Sequence, residues 1–168
     1  ADVDSNGWLD LYVGNYLSFS LKNHKVCRSA TGARDYCGPT AYPGVPDRLL
    51  RNLGRNAEGH VIFKDISAVA GLLQVHSKTL GVVAADLDGN GRLDFYVAND
   101  LAPNQMWLQQ EPDGDNAIRF VDEALLAGSA VNAQGKAEAS MGVDAADFDG
   151  DGDDDLFMTH LVGETNTL

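Results

Sequence analysis

The sequence predicts an all-β chain built from a repeated four-stranded antiparallel unit, and three observations carry that prediction. An aspartate-rich loop recurs at residues 2–10, 86–94 and 147–155. Each loop leads into a short strand-like run: LDLYVGN at 9–15, LDFYVAN at 93–99 and DDLFMTH at 154–160. Further along each interval the match continues, with PDRLLRN at 46–52 set against PNQMWLQ at 103–109, and VIFKDISAVAG at 61–71 against IRFVDEALLAG at 118–128.

Within the strand-like runs, Tyr12, Tyr96 and Phe157 hold the same place and are expected in the sheet core. Residues 79–85 and 140–146 are the strands that enter loops two and three. Their small residues, Gly81, Ala84 and Ala85 beside Gly142, Ala145 and Ala146, suit crowded inner positions. The 61–71 and 118–128 segments read as a fourth strand closing on a helical turn with a glycine stop. Residues 54–59 and 111–116 read as hairpin loops.

Each unit therefore spans about 60 residues, with the loop joining its first and second strands. Repetition of such units is the signature of a β-propeller, and a closed ring needs at least four of them. The chain thus reads as an arc of two to three blades: a partial blade at 1–78, a complete one at 79–128 and a partial one at 129–168. Residues 166–168 begin a third copy of the third strand. It is expected to be a piece of a longer protein, whose remaining blades cover its edges.

Residues 18–46 interrupt the repeat. From Asn15 to Phe63 is 48 positions, but from Asn99 to Phe120 only 21, which places an insertion of 27 residues here. It carries both cysteines, Cys27 and Cys37, among turn-forming glycines and prolines. A disulfide is the first reading, contributing about 2 to 3 kcal/mol by loop entropy. Two buried thiols, or a zinc site completed by His24, are the alternatives, although no second ligand pair occurs at finger spacing.

The loops carry the chemistry. Asp2, Asp4, Asn6 and Asp10 place side-chain oxygens at positions one, three, five and nine; so do Asp86, Asp88, Asn90 and Asp94, and again Asp147, Asp149, Asp151 and Asp155. Glycine stands at position six each time. Alternate residues of a tight loop converge on one point, the glycine permits the turn, and a position-seven carbonyl can add an oxygen, an arrangement suited to calcium. Magnesium prefers to keep several waters. An EF-hand would need a glutamate at position twelve and flanking helices, whereas this chain has Val13, Val97 and Met158 and strand-like flanks. Two to three calcium ions are expected, and folding should depend on them, because each empty loop gathers three or four like charges.

At 168 residues with 44% hydrophobic content, the chain can build a core. A net charge of −13 argues against nucleic acid or an anionic membrane surface as partner. No run of about twenty apolar residues is present to span a bilayer.

The stretches GVVAADLDGNGRLDFYVANDLAPNQMW (81–107) and MGVDAADFDGDGDDDLFMTHLVGETNTL (141–168) resemble FG-GAP (VCBS) repeats, the calcium-loop blades also found in integrin alpha-subunit propellers. With RDYCGPTAYPGVPDRLLRN (34–52) and FKDISAVAGL (63–72), the chain is similar to the bacterial relatives of cartilage acidic protein, the group bearing an ASPIC/UnbV domain; that domain is not present here. The resemblance implies a seven-bladed, extracellular or periplasmic propeller with calcium on one face. Carried over residue by residue, it adds the backbone carbonyls of Trp8, Arg92 and Asp153 to the side-chain ligands above.

No G-x-S-x-G elbow, P-loop, dinucleotide-binding glycine fingerprint or H-E-x-x-H occurs, and His24, His60, His76 and His160 are scattered. The expected function is a calcium-stabilised scaffold for protein or glycan binding, adhesion included, and not an enzyme; the 18–46 insertion is either a recognition surface, with Tyr36 and Tyr42 exposed on it, or a loop that covers the propeller face or a neighbouring blade. The alternative is part of a propeller-type enzyme acting on acidic polysaccharide as lyase or hydrolase, with Arg92 polarising a uronate.

Overall fold

A computed structural model describes residues 1–112 and 117–168; the loop expected at 111–116 falls outside the described residues from 113 onward. The fold is all-β. Strands β1 (Leu11–Val13), β4 (Arg48–Arg55) and β5 (Val61–Asp65) form a three-stranded antiparallel sheet in that order. Between β1 and β4 the insertion makes its own small ribbon from β2 (Cys27–Arg28) and β3 (Arg34–Asp35). Strand one is shorter than the alternating run that predicts it.

The middle unit is a four-stranded meander of β6 (Thr79–Ala85), β7 (Asp94–Asn99), β8 (Gln105–Gln109) and β9 (Phe120–Asp122). A third unit pairs β10 (Ser140–Ala146) with β11 (Asp155–His160), and Thr167 adds a single bridge to Met158 where the third strand copy begins. The helical turns are present as well. Ala70 N–H donates to the Ile66 carbonyl and Ala127 N–H to that of Glu123, and Gly71 and Gly128 then take the left-handed φ values of 91° and 75° that stop each turn.

All six residues of β7 are buried, which explains why LDFYVAN reads as nearly continuous apolar chain. The main core lies between the first two sheets. Val3, Leu49, Ile66 and Leu72 meet Phe95, Val97, Trp107 and Phe120 there. Phe95 sits between the Tyr12 ring of the first unit, at 4.7 Å, and the Phe120 ring of its own, at 5.4 Å. On the other side, β10 packs against β6 and β7.

Two expectations of burial are corrected. Tyr96 is fully buried and Tyr12 packs on the core, but Phe157 is 44% exposed, because no element among the described residues covers that face of β11. Of the six small residues, Gly81 is tight against Val143 and Ala85 is buried, while Ala84 and Ala146 are exposed beside their loops.

A latch recurs at the strand ends. The backbone N–H of Asn15, Asn99 and His160 donates to the side chains of Asp47, Asn104 and Asn166, at 2.7, 2.9 and 3.0 Å. His160 thus holds the strand-end place of Asn15 and Asn99, and its ring rests 3.3 Å from Ser140 Oγ.

Two tyrosine hydroxyls, those of Tyr16 and Tyr96, bridge neighbouring units, and a third, that of Tyr12, bonds within the first unit. Tyr12 donates to Asp47 Oδ2 at 2.9 Å, Tyr16 to Asp100 Oδ2, and Tyr96 to the Ser129 carbonyl at 2.5 Å. Burial first, with Asp47 and Asp100 adding to it for the first two, pushes all three hydroxyls upward; Tyr16 is pushed up to about 12. A raised folded-state pKa means that the stabilisation is fully present below the ordinary value of about 10 and is lost as pH climbs through the folded value. The tyrosinate absorbance of these three should therefore stay silent at pH 10 and rise together with loss of circular dichroism toward pH 12. Titration of all three near pH 10 in a folded chain would contradict it.

Candidate metal centres

The three loops repeat one hydrogen-bond scheme atom for atom. In loop two, Asp86 accepts the N–H of Asn90 on Oδ1 (3.0 Å) and that of Gly91 on Oδ2 (2.8 Å), Asp88 accepts Asn90 N–H at 3.1 Å, and Asn90 Oδ1 accepts Arg92 N–H at 2.8 Å. Loop one does the same through Asp2, Asp4 and Asn6, and loop three through Asp147, Asp149 and Asp151. These bonds draw the carboxylates inward and fix Trp8, Arg92 and Asp153 at position seven.

Position six is left-handed, with φ of 84°, 80° and 100° at Gly7, Gly91 and Gly152. Position four is left-handed too, a requirement not drawn from the sequence although Gly89 and Gly150 announce it. Only Ser5 occupies it without being glycine, at φ 55°.

Position nine joins the loop to the sheet. Asp10 accepts Val3 N–H and Asn52 N–H, at 2.9 and 2.7 Å; Asp94 accepts Leu87 N–H and Gln109 N–H, at 2.9 and 2.7 Å. One oxygen thus holds the loop and the other holds the third strand. Asp10 is 4% exposed and Asp94 fully buried. Burial above all, with Asp88 and Asp86 close by, pushes the Asp94 carboxyl up against the two amide bonds that hold it down.

Carboxylate oxygens of Asp2, Asp4 and Asp10 lie within 4.8 Å of one another, as do those of Asp86, Asp88 and Asp94. Two oxygens sharing a calcium ion at about 2.3–2.6 Å are at most about 5 Å apart, so these donor sets fit the ion. In loop three the converging trio is Asp147, Asp149 and Asp151, all exposed. Asp155 stands outside that trio, its Oδ2 accepting Phe148 N–H at 2.9 Å. Loop one has a feature the spacing does not reveal: the Arg51 guanidinium pairs with Asp4 and supplies positive charge from β4.

Cys27 and Cys37 form a disulfide with Cα atoms 5.1 Å apart, which removes the thiol and zinc readings. Tyr36 is exposed, but Tyr42 is not. It is buried with its hydroxyl accepting Lys25 N–H at 2.7 Å and its ring edge-on to Phe19 at 5.6 Å, because the insertion has a small core of its own. Arg92 is engaged, donating to Glu111 Oε1 at 2.7 Å and to the Gln109 carbonyl at 3.3 Å. The histidines are not brought together into one site. Among the described residues no helix is long and apolar enough to cross a membrane.

Residues 86–158, from the first aspartate of loop two to the middle of β11, match the family model for the FG-GAP-like repeat. Over that stretch the chain is similar to FG-GAP-like repeats, in keeping with its repeated loops and sheets. More particularly, it is similar to Cartilage acidic protein 1 of Mus musculus, with 29% identity over 117 residues, 70% of this chain. It spans 16% of the length of that relative.

Proposed function

We propose that this chain is an arc of a calcium-binding β-propeller, two to three blades of a ring of seven, in an exported, extracellular or periplasmic protein that presents loops to a protein or glycan partner. The observation that carries the reading is the threefold loop, which converges three carboxylates on one point and, in loops one and two, ties the buried position-nine aspartate to the third strand. In loop two, Asp86, Asp88, Asn90 and Asp94 would hold the ion, with the Arg92 carbonyl; the equivalent residues serve loops one and three. The ion supplies the positive charge that such a set of carboxylates lacks, and the loop in turn anchors a sheet. This is structural work, and the engaged Arg92 side chain supports a scaffold over an enzyme acting on acidic polysaccharide. The disulfide supports an oxidising compartment.

Calcium titration by calorimetry tests it, comparing the chain with an Asp86→Ala, Asp147→Ala double variant. Two to three ions should bind the chain, and at a free concentration ten times the dissociation constant each occupied loop should add about 1.4 kcal/mol of stability. The variant should lose two sites. Absence of binding, or binding that leaves the unfolding midpoint unmoved, would overturn the reading.

A further inference from the structure

The overall charge of the chain conceals a local reversal. Residues 18–46 hold four of the 12 lysines and arginines, Lys22, Lys25, Arg28 and Arg34, but only one of the 25 carboxylates, Asp35. The insertion is therefore +3, and the rest of the chain −16. All four cations are exposed, and among the described residues none pairs with a carboxylate. Lys25 lies over the Tyr42 ring at 5.2 Å and Arg28 donates to the Gly32 carbonyl at 2.8 Å, so these two are anchored. Lys22 and Arg34 make no side-chain hydrogen bond or ion pair among the described residues and are available to a ligand.

Two of these charges, Lys25 and Arg34, border an aromatic surface together with the single carboxylate, Asp35. Tyr36 is 98% exposed, beside Arg34 on the ribbon, and lines a shallow cleft of about 240 Å³ with Lys25, Arg34, Phe19 and Tyr42. The Cys27–Cys37 disulfide, the β2–β3 ribbon and the buried Tyr42 hold the platform in shape without any ligand. Little ordering entropy would then be lost on binding.

We infer that the 18–46 insertion is a docking site for an acidic polysaccharide, its carboxylate or sulfate groups taken by Lys22, Lys25 and Arg34 and a sugar face laid on Tyr36. This deepens the scaffold reading above and rests on it. Charge complementarity selects a polyanion, since a +3 lobe on an otherwise acidic chain draws negative groups to itself and repels them elsewhere. The geometry selects a glycan within that class. Spaced cations around a flat ring match anionic groups repeated along a chain of sugar rings, and the guanidinium fork suits carboxylate and sulfate alike. An acidic peptide would take the cations and leave the ring unused.

The test uses the whole chain in excess calcium, with immobilised heparin as the acidic glycan, dextran as the neutral one and poly-glutamate as the acidic peptide. Heparin should bind, dextran should not, and affinity should fall steeply as salt rises. A Lys22→Glu, Arg34→Glu variant should lose about tenfold or more in affinity, while Tyr36→Ala should lose about three- to tenfold with the salt dependence unchanged. An unchanged melting temperature in both variants shows that the platform still folds. Heparin binding indifferent to these substitutions would overturn the inference. So would poly-glutamate bound as tightly as heparin and untouched by Tyr36→Ala, or salt-dependent self-association in place of glycan binding. Failure to bind heparin by a chain that still titrates with calcium refutes the docking site alone, whereas heparin binding without calcium uptake refutes the metal-loop scaffold instead.

Discussion

Asp94→Ala should be among the most destabilising single substitutions in the chain, costing about 3 to 5 kcal/mol. The carboxylate is fully buried and accepts the backbone N–H groups of Leu87 and Gln109. Alanine removes both acceptors and leaves one buried donor, Gln109 N–H, and one partly buried donor, Leu87 N–H, unmatched, each at about 1 to 3 kcal/mol. The measurement is urea unfolding in chelator, so that no ion contributes to the difference. Asp155→Ala, at the same loop position but half-buried and with one such bond, is the comparison and should cost about 1 kcal/mol. Equal effects of the two substitutions would show that the Asp94 bonds to Leu87 and Gln109 add no stability beyond the single bond of Asp155.

Gly44→Ala should be nearly as damaging for a different reason. A methyl group there would stand 2.1 Å from the Ser77 carbonyl oxygen and 2.7 Å from its carbon. That backbone cannot move aside, because Val45 bridges Ser77 and donates its N–H to the same oxygen at 3.1 Å. The root of the insertion would be prised from the entry to the middle unit, at an expected cost of about 3 kcal/mol. Gly38→Ala, in the same insertion with nothing within 4 Å, should stay within about 0.5 kcal/mol. A midpoint for Gly44→Ala matching that of Gly38→Ala would mean that the close approach is not maintained in solution.

What could be read from the residues was whatever repeats. Asp86, Asp88, Asn90 and Asp94 announce a loop by spacing alone, and the alignment of Phe63 with Phe120 and Asp65 with Asp122 places the outer strands. The loop scheme itself, with two left-handed residues instead of one, was half visible, since Ser5 hides the position that Gly89 and Gly150 mark. Interactions that occur once left no trace. Arg51 reaches Asp4 from 47 positions away, and nothing in either neighbourhood pairs them. Tyr42 was misread as exposed because its burial depends on Phe19 and Lys25 folding back within an insertion that has no second copy to compare. Phe157 was misread for the opposite reason. Its place in the repeat is that of Tyr96, but burial belongs to the neighbour that covers a face and not to the strand that bears it.

The ring stack of Tyr12, Phe95 and Phe120 shows where cohesion resides in this chain. Its largest apolar cluster is shared by two sheets, so neither sheet can complete a core by itself. An array of this kind behaves as a one-dimensional chain of couplings, in which the joints between units carry more of the cooperativity than the units do. The smallest autonomous folding piece is then a pair of units, and the first two should melt in a single transition. Shortening such a protein by one unit removes one joint, while cutting through the middle of a unit disables two.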